Sequence, residues 1–217
     1  NLCRIESFEG ESVVAEIIEE RFQDTSLPIK IYLFQGLPKG DKMELIAEGV
    51  VKVNETGTEI AVIASCGMSW LDENIDKDEY KGFEGMTIKL GTDVDLSARS
   101  WDGIGDGRTG AAFKGTFDGQ RHTIKNIYQN GYLWKYWFGQ YGSIGLFSEL
   151  ESATVKNLII ENFEARVEGG DIAFITGSAT GDCVFENIEI RNSRIATFNN
   201  GIGGIIGWSG AGNYTFK

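Results

Sequence analysis

Short runs in which apolar and polar residues alternate, each closed by Asn or Gly, dominate the C-terminal two-thirds of the chain. Four strings align: Thr123-Ile124-Lys125-Asn126, Thr154-Val155-Lys156-Asn157, Val184-Phe185-Glu186-Asn187 and Thr215-Phe216-Lys217. The asparagines at 126, 157 and 187 stand 31 and 30 residues apart. Ile124, Val155, Phe185 and Phe216 form one apolar column, and Ile127, Leu158 and Ile188 a second; another Asn follows at 162 and 192. Upstream, a small residue precedes two apolar ones in Gly145-Leu146-Phe147, Ala173-Phe174-Ile175 and Gly204-Ile205-Ile206. Alternation at period two predicts strands. A repeat this short cannot close a core alone, but stacked repeats turn each apolar column into a continuous interior ladder. Asn126, Asn157, Asn187, Gly145 and Gly204 are read as structural bend residues, because Asn and Gly tolerate left-handed backbone angles. The expected fold is mostly β, a right-handed parallel β-helix with coils of about 30 residues over 85–217.

Two segments precede it. Residues 1–47 read as a β segment with strands at Ser12 to Ile18 and Ile29 to Phe34, Pro28 standing just before the second. Residues 48–84 read as a hairpin, Val50 to Val53 and Thr58 to Ala64, followed by an acidic helix from Ser69 to Lys81. Ser69 with Asp72 gives an imperfect capping box, and Trp70, Leu71 and Ile75 supply an apolar side that suits a solenoid cap.

Composition sharpens this division. Residues 1–49 hold fifteen charged residues, both prolines and only four of the 29 glycines. The net charge of −12 argues against non-specific nucleic-acid binding, which rewards Lys and Arg. No stretch approaches the roughly 20 apolar residues of a membrane helix. Cys3, Cys66 and Cys183 form no even framework, so a Cys66–Cys183 bridge stays open. The chain starts at Asn1 and reaches Lys217 one residue before the next repeat Asn. The absence of a signal peptide from this sequence therefore does not exclude export, and further repeats or a cap are expected beyond Lys217, or end-to-end self-association.

Two resemblances follow from particular strings. "IESFEGESVVAEIIEE" and "LPIKIYLFQGLPKGDKMELI" resemble the small-subunit ribosomal RNA uridine methyltransferases of the RsmE type over roughly 2–46. The resemblance implies a fragment spanning part of that family's RNA-binding β domain and the start of its catalytic domain. It stops at Ile46, before any cofactor-holding loop. "GMTIKLGTDVDLSARSWDGIG", "FKGTFDGQRHTIKN", "GLFS" and "GIIG" resemble the GLUG-type repeats of bacterial surface proteins over 69–217. That resemblance implies a secreted or cell-surface module. Ser148 and Ala173 depart from its Gly-Leu-Phe-Gly pattern.

Candidate chemistry is sparse. His122 is the only histidine, and its expected role is in a turn or in packing. Asp93, Asp95, Asp102, Asp106 and Asp118 are read as turn residues before calcium ligands or acid–base groups, since "DGIGDG" lacks the closing Glu of a calcium loop. Tyr128, Tyr132, Trp134, Tyr136, Trp137, Phe138 and Tyr141 crowd into fourteen residues, and 129–142 reads as an insertion between repeats. Exposed aromatics stack on sugar rings or anchor protein partners. Tyr132, Trp134, Tyr136, Trp137 and Tyr141 are the expected ligand-binding residues, beside the reading in which this loop only covers the solenoid. No catalytic residue, metal or cofactor is assigned. The preferred function is a non-catalytic extracellular or cell-surface module binding glycan or a host or cell-surface protein. The alternatives are a polysaccharide lyase or hydrolase on a β-helix, and a remnant of a ribosomal RNA methyltransferase.

Overall fold

The computed structural model describes residues 3–9, 12–17, 51–53, 57–97, 101, 103–105, 111–132, 142–168, 170–198 and 201–217. An antiparallel hairpin joins β1 (Cys3–Glu9) and β2 (Ser12–Ile17). The strand expected at 29–34 lies outside the described residues. A second hairpin joins β3 (Val51–Val53) antiparallel to β4 (Glu59–Val62). From β4 onward every pairing is parallel, as expected of a solenoid.

The principal sheet runs β4, β5 (Thr87–Leu90), β7 (Thr116–Asp118), β12 (Thr154–Glu161), β16 (Cys183–Arg191) and β20 (Tyr214–Phe216), with β3 at its edge. β6 (Val94–Asp95) and β8 (Thr123–Lys125) extend it beside the second half of β12. Three further sheets of three strands complete the later coils. One stacks β9 (Tyr128–Tyr132), β13 (Glu164–Glu168) and β17 (Arg194–Phe198). The next stacks β10 (Ser143–Ile144), β14 (Asp171–Ala173) and β18 (Ile202–Gly203). The last stacks β11 (Phe147–Glu151), β15 (Thr176–Thr180) and β19 (Ile206–Ser209).

The register corrects two columns of the sequence alignment. Val155, Phe185 and Phe216 do stack, but their partner in the preceding coil is Phe117, not Ile124. Ile124 stands opposite Ile160, and Asn126 therefore belongs with Asn162 and not with Asn157. Ile127 likewise precedes Phe163, because Glu164 N–H bonds the Ile127 carbonyl. The cause is a bend in the strand. β12 is one strand by pairing, yet Asn157 has φ +52°, so its halves belong to two faces. Each half ends in an apolar-x-Asn pattern, and the two halves are alike enough to be mistaken for one another. A smaller slip affects the third strings: Phe147 pairs with Thr176 and Ile206, which leaves Ile175 a residue out of that column.

The core is one continuous ladder. Phe83 meets Phe113, Phe113 meets Phe147 and Phe147 meets Phe117, with ring centroids 5.0–6.0 Å apart, and Trp101 is buried with its indole N–H donating to the Leu146 carbonyl at 3.1 Å. Each such side chain is worth roughly 1.5–3 kcal/mol of transfer free energy on burial. At the N-terminal side lies α1 (Cys66–Asn74), starting three residues earlier than Ser69 and ending seven before Lys81. Ser65 stands at its start but does not cap it; the Ser65 hydroxyl accepts the Asp95 N–H at 3.0 Å, so the sheet claims the group. Met68 and Leu71 of α1, and Ile75 after it, are buried in the same core as β4 and β5. Cys66 and Cys183 are free thiols, so the bridge left open by the sequence does not form.

Candidate functional site

The corners of the coil are built first, because they decide what its acidic residues can do. Asn126, Asn157, Asn162, Asn187 and Asn192 all have φ between +47° and +58°. Asn pays less for this angle than other residues with a Cβ, and here its amide is also used across coils. Asn187 donates to the Asn157 carbonyl at 2.9 Å, and Asn162 to that of Asn126 at 3.3 Å. Each ladder ends on a carboxylate: Asn157 donates to Asp118 at 3.0 Å, and Asn126 to both oxygens of Asp95 at 3.0 Å.

Three acids flagged from the sequence are therefore engaged, Asp95 and Asp118 in turns and between coils, Asp93 between coils. Asp118 is buried, which alone would raise its pKa; the Asn157 amide, the Gln120 N–H and Lys156 overcome that and leave it lowered. Asp95 behaves alike: burial works against it, and Asn126, Ser97 and Lys125 bring its pKa below the usual value. Asp93 accepts the Thr123 N–H at 2.9 Å, which outweighs its partial burial, and His122 Nδ1 lies 3.1 Å away. His122 thus meets Asp93 of the preceding coil at the surface. Asp102 and Asp106 lie outside the described residues. Among the described residues no three His, Cys, Asp or Glu side chains gather as a metal site.

Charge on the outer face of the principal sheet is ordered by coil. Lys89, Asp118, Lys156 and Glu186 share one column, and Lys217 continues it. Asp95, Lys125, Glu161 and Arg191 share another. Sign alternates at every step of both. Lys156 stands 3.4 Å from Asp118, Lys217 3.9 Å from Glu186, and Lys125 3.9 Å from Asp95. The exposed pairs, Lys217–Glu186 and Lys125–Asp95, contribute only about 0–1 kcal/mol each. Their larger effect is on register, since a slip by one coil would set like charges opposite each other.

The aromatic segment enters through β9. Tyr128, at the start of this strand, is exposed, and Tyr132 is its last residue, paired in the ladder with Glu168. Trp134, Tyr136, Trp137 and Tyr141 lie outside the described residues. The anchoring strands nevertheless define how much chain is inserted. Ten residues separate β9 from β10, whereas two separate β13 from β14 and three separate β17 from β18. Accordingly Tyr128 is 36 residues before its partner Glu164, against 30 from Glu164 to Arg194.

Of the glycines flagged for bends, Gly145 is tightly enclosed: an added Cβ would meet Ile175 O, Phe147 O and Thr176 Cα at 2.9 Å. Gly204 faces open space. Two side chains not singled out from the sequence stand on the sheet of β11, β15 and β19. Glu149 is partly buried, and that burial with the nearby Glu151 raises its pKa. Trp208 pairs two coils away in the same column, through Ser178, and is half exposed. The column that holds Trp208 is made of residues from other coils, so no local string marks it.

No family model and no solved structure matches the chain. Among curated proteins it is similar to Halomucin of Haloquadratum walsbyi, 34% identical over 135 residues that cover 56% of this chain and 1% of that protein. It is also similar to the Ribosomal RNA small subunit methyltransferase E of Bacillus subtilis, 41% identical over 46 residues, 21% of this chain and 18% of that protein. The matched regions are thus a small part of either relative: what is common to this chain and these proteins is a stretch of sequence, and the fold described above is a parallel β-solenoid.

Proposed function

We propose that the chain is a non-catalytic repeat module of a secreted or cell-surface protein, which binds a glycan or a protein through the aromatic residues between β9 and β10. The observation that carries this reading is strand spacing: ten residues separate β9 from β10, against two and three at the equivalent places in the next two coils. Connections between the strands of a rigid scaffold are where binding residues concentrate. The sequence between β9 and β10 holds Trp134, Tyr136, Trp137 and Tyr141, and Tyr132 precedes it. Rings of this kind offer a large apolar face at low cost in side-chain entropy, suited to sugar rings or to a partner's apolar anchor. The likeness to a protein named as a mucin supports placement of the module at a cell exterior. The engagement of Asp93, Asp95 and Asp118 in hydrogen bonds between coils supports binding over acid–base catalysis. The methyltransferase-like stretch, 18% of that relative, is given no part in the activity.

A glycan array and a screen of surface-protein ectodomains, probed with the full chain and with Trp134→Ala/Trp137→Ala, test the reading. Binding that the double substitution abolishes, with the circular dichroism spectrum unchanged, is expected. Binding that survives it, or no binding on either panel, would overturn the proposal.

A further inference from the structure

The corner asparagines are explained by the fold. Asn126, Asn157, Asn162, Asn187 and Asn192 have left-handed backbones, and their amides bond to the neighbouring coil. None has Ser or Thr two positions on; Tyr128, Ile159, Glu164, Glu189 and Arg194 stand there. Asn213 differs on both counts. Its backbone is not left-handed, and it opens the string Asn213-Tyr214-Thr215, which carries a hydroxyl at its third place. Asn54-Glu55-Thr56 has the same pattern and lies outside the described residues.

The fold displays Asn213 and Thr215 and hides the residue between them. Asn213 stands at the corner between β19 and β20. Cys183 pairs with Tyr214, and Thr154 with Val184, which sets Ser152, Asp182 and Asn213 in one column of that corner. All three are exposed. Ser152 and Asp182 each have a further coil stacked on them, so exposure is a property of this corner in every coil. Its backbone does not demand asparagine either, because Ser and Asp fill the same place. Tyr214 turns inward: it packs against the core, and its hydroxyl donates to the Ala179 carbonyl at 2.8 Å. Thr215 continues the column of Thr154 and Val184. Its neighbours pair with the buried Cys183 and Phe185, so alternation along the strand puts Thr215 on the outer side. The Asn213 Nδ2 donates to Asp182 at 2.9 Å, which takes one of its two hydrogens.

We propose that Asn213 is a site of N-linked glycosylation, with an oligosaccharide carried on Nδ2. The proposal rests on the extracellular placement given above, since Asn-x-Ser/Thr strings are acceptors in exported chains. The donor is an oligosaccharide joined through C1 to a lipid-borne diphosphate. The bond from C1 to the diphosphate oxygen breaks, and that oxygen keeps the electron pair. Nδ2 forms the new bond to C1 and gives up one proton. The N–H that remains is enough for the bond to Asp182, so the sugar and the corner are compatible. This corner lies between the sheets of β19 and β20, and the aromatic segment lies between those of β9 and β10.

The test expresses the full chain behind a signal peptide in a eukaryotic secretory host. Luminal and secreted protein are pooled, so slow secretion does not hide the result. Enzymatic release of N-linked sugar in heavy-oxygen water leaves a labelled aspartate wherever a glycan was attached, and peptide mass spectrometry reads position 213 separately from position 54. Label at 213 is expected in the parent and in Thr215→Ser, and none in Thr215→Ala or Asn213→Gln. Thr215→Ala leaves the Asn213 amide in place, so loss of label there reports recognition of the string and not loss of the asparagine. The glycosylated chain should keep the circular dichroism spectrum of the released one. An unlabelled Asn213 in a host that glycosylates a co-expressed reporter would overturn the proposal. So would label that persists in Thr215→Ala, or a spectrum lost on glycosylation. The binding reading fails or stands separately: Trp134→Ala/Trp137→Ala should leave the label at 213 unchanged, and Thr215→Ala should leave binding on the glycan and ectodomain panels unchanged.

Discussion

Replacing Asn157 separates the parts played by a ladder asparagine. Its backbone is left-handed, its amide donates to Asp118, and its carbonyl accepts from Asn187. Asn157→Gly keeps the angle and loses both bonds. At about 1 kcal/mol for each partly exposed bond, it should cost about 2 kcal/mol. Asn157→Ala loses the same bonds and adds roughly 1 kcal/mol for a Cβ in the left-handed region, about 3 kcal/mol in all. In a domain of this size each kcal/mol moves the melting temperature by about 2–4 °C. Asn157→Asp keeps the angle and the acceptor but faces Asp118 with a second carboxylate. It should be more costly than Gly at pH 7 and recover towards pH 4, where the pair takes up a proton. Urea unfolding at the two pH values, followed by circular dichroism, gives all three. If Ala and Gly match within about 0.5 kcal/mol, the left-handed corner does not matter energetically. If Asp is as mild as Gly at pH 7, the amide-to-carboxylate bond is not what Asp118 relies on.

The corner glycines give a sharper contrast. Gly145→Ala should destabilise strongly, by about 2 kcal/mol or more through overpacking, while Gly204→Ala should lie within about 0.5 kcal/mol of the parent in the same unfolding assay. Phe147→Ala removes a fully buried ring that touches Phe113 and Phe117, and should cost about 3–5 kcal/mol by urea titration. Asp93, Asp95 and Asp118 have lowered pKa values in the fold, so their stabilisation is complete above the unfolded carboxyl range near about 4. It should be lost as pH falls through the folded values, visible as a dropping urea midpoint. Glu149 has the opposite sign: burial raises its pKa, so its charged form is a cost at neutral pH that protonation relieves. Glu149→Gln should therefore raise the melting temperature at pH 7, with the gain shrinking towards pH 4.

The solenoid and its coil length were legible because the corners need Asn, and Asn recurs where the chain turns. Alignment failed for Ile124 and Asn126 because the bend at Asn157 gives each coil two similar half-strands, and only pairing tells them apart. The helix start was displaced for a related reason. Ser69 and Asp72 carry the local signature of a cap, but the helix begins at Cys66 and the nearer serine, Ser65, serves a residue thirty positions away. The inserted aromatic segment was visible as an excess of rings and as an interruption of the repeat. Trp208 was not, since its column is defined by residues of neighbouring coils and not by what lies beside it in sequence.

The alternation of sign along the coils also bears on how such a chain can lengthen. Copying one coil and inserting it beside its parent sets lysine on lysine in one column and glutamate on glutamate in the other. Copying two adjacent coils restores both ladders unbroken. The smallest heritable unit of growth in this architecture is thus the coil pair, and a duplication history written in even numbers is the trace it should leave.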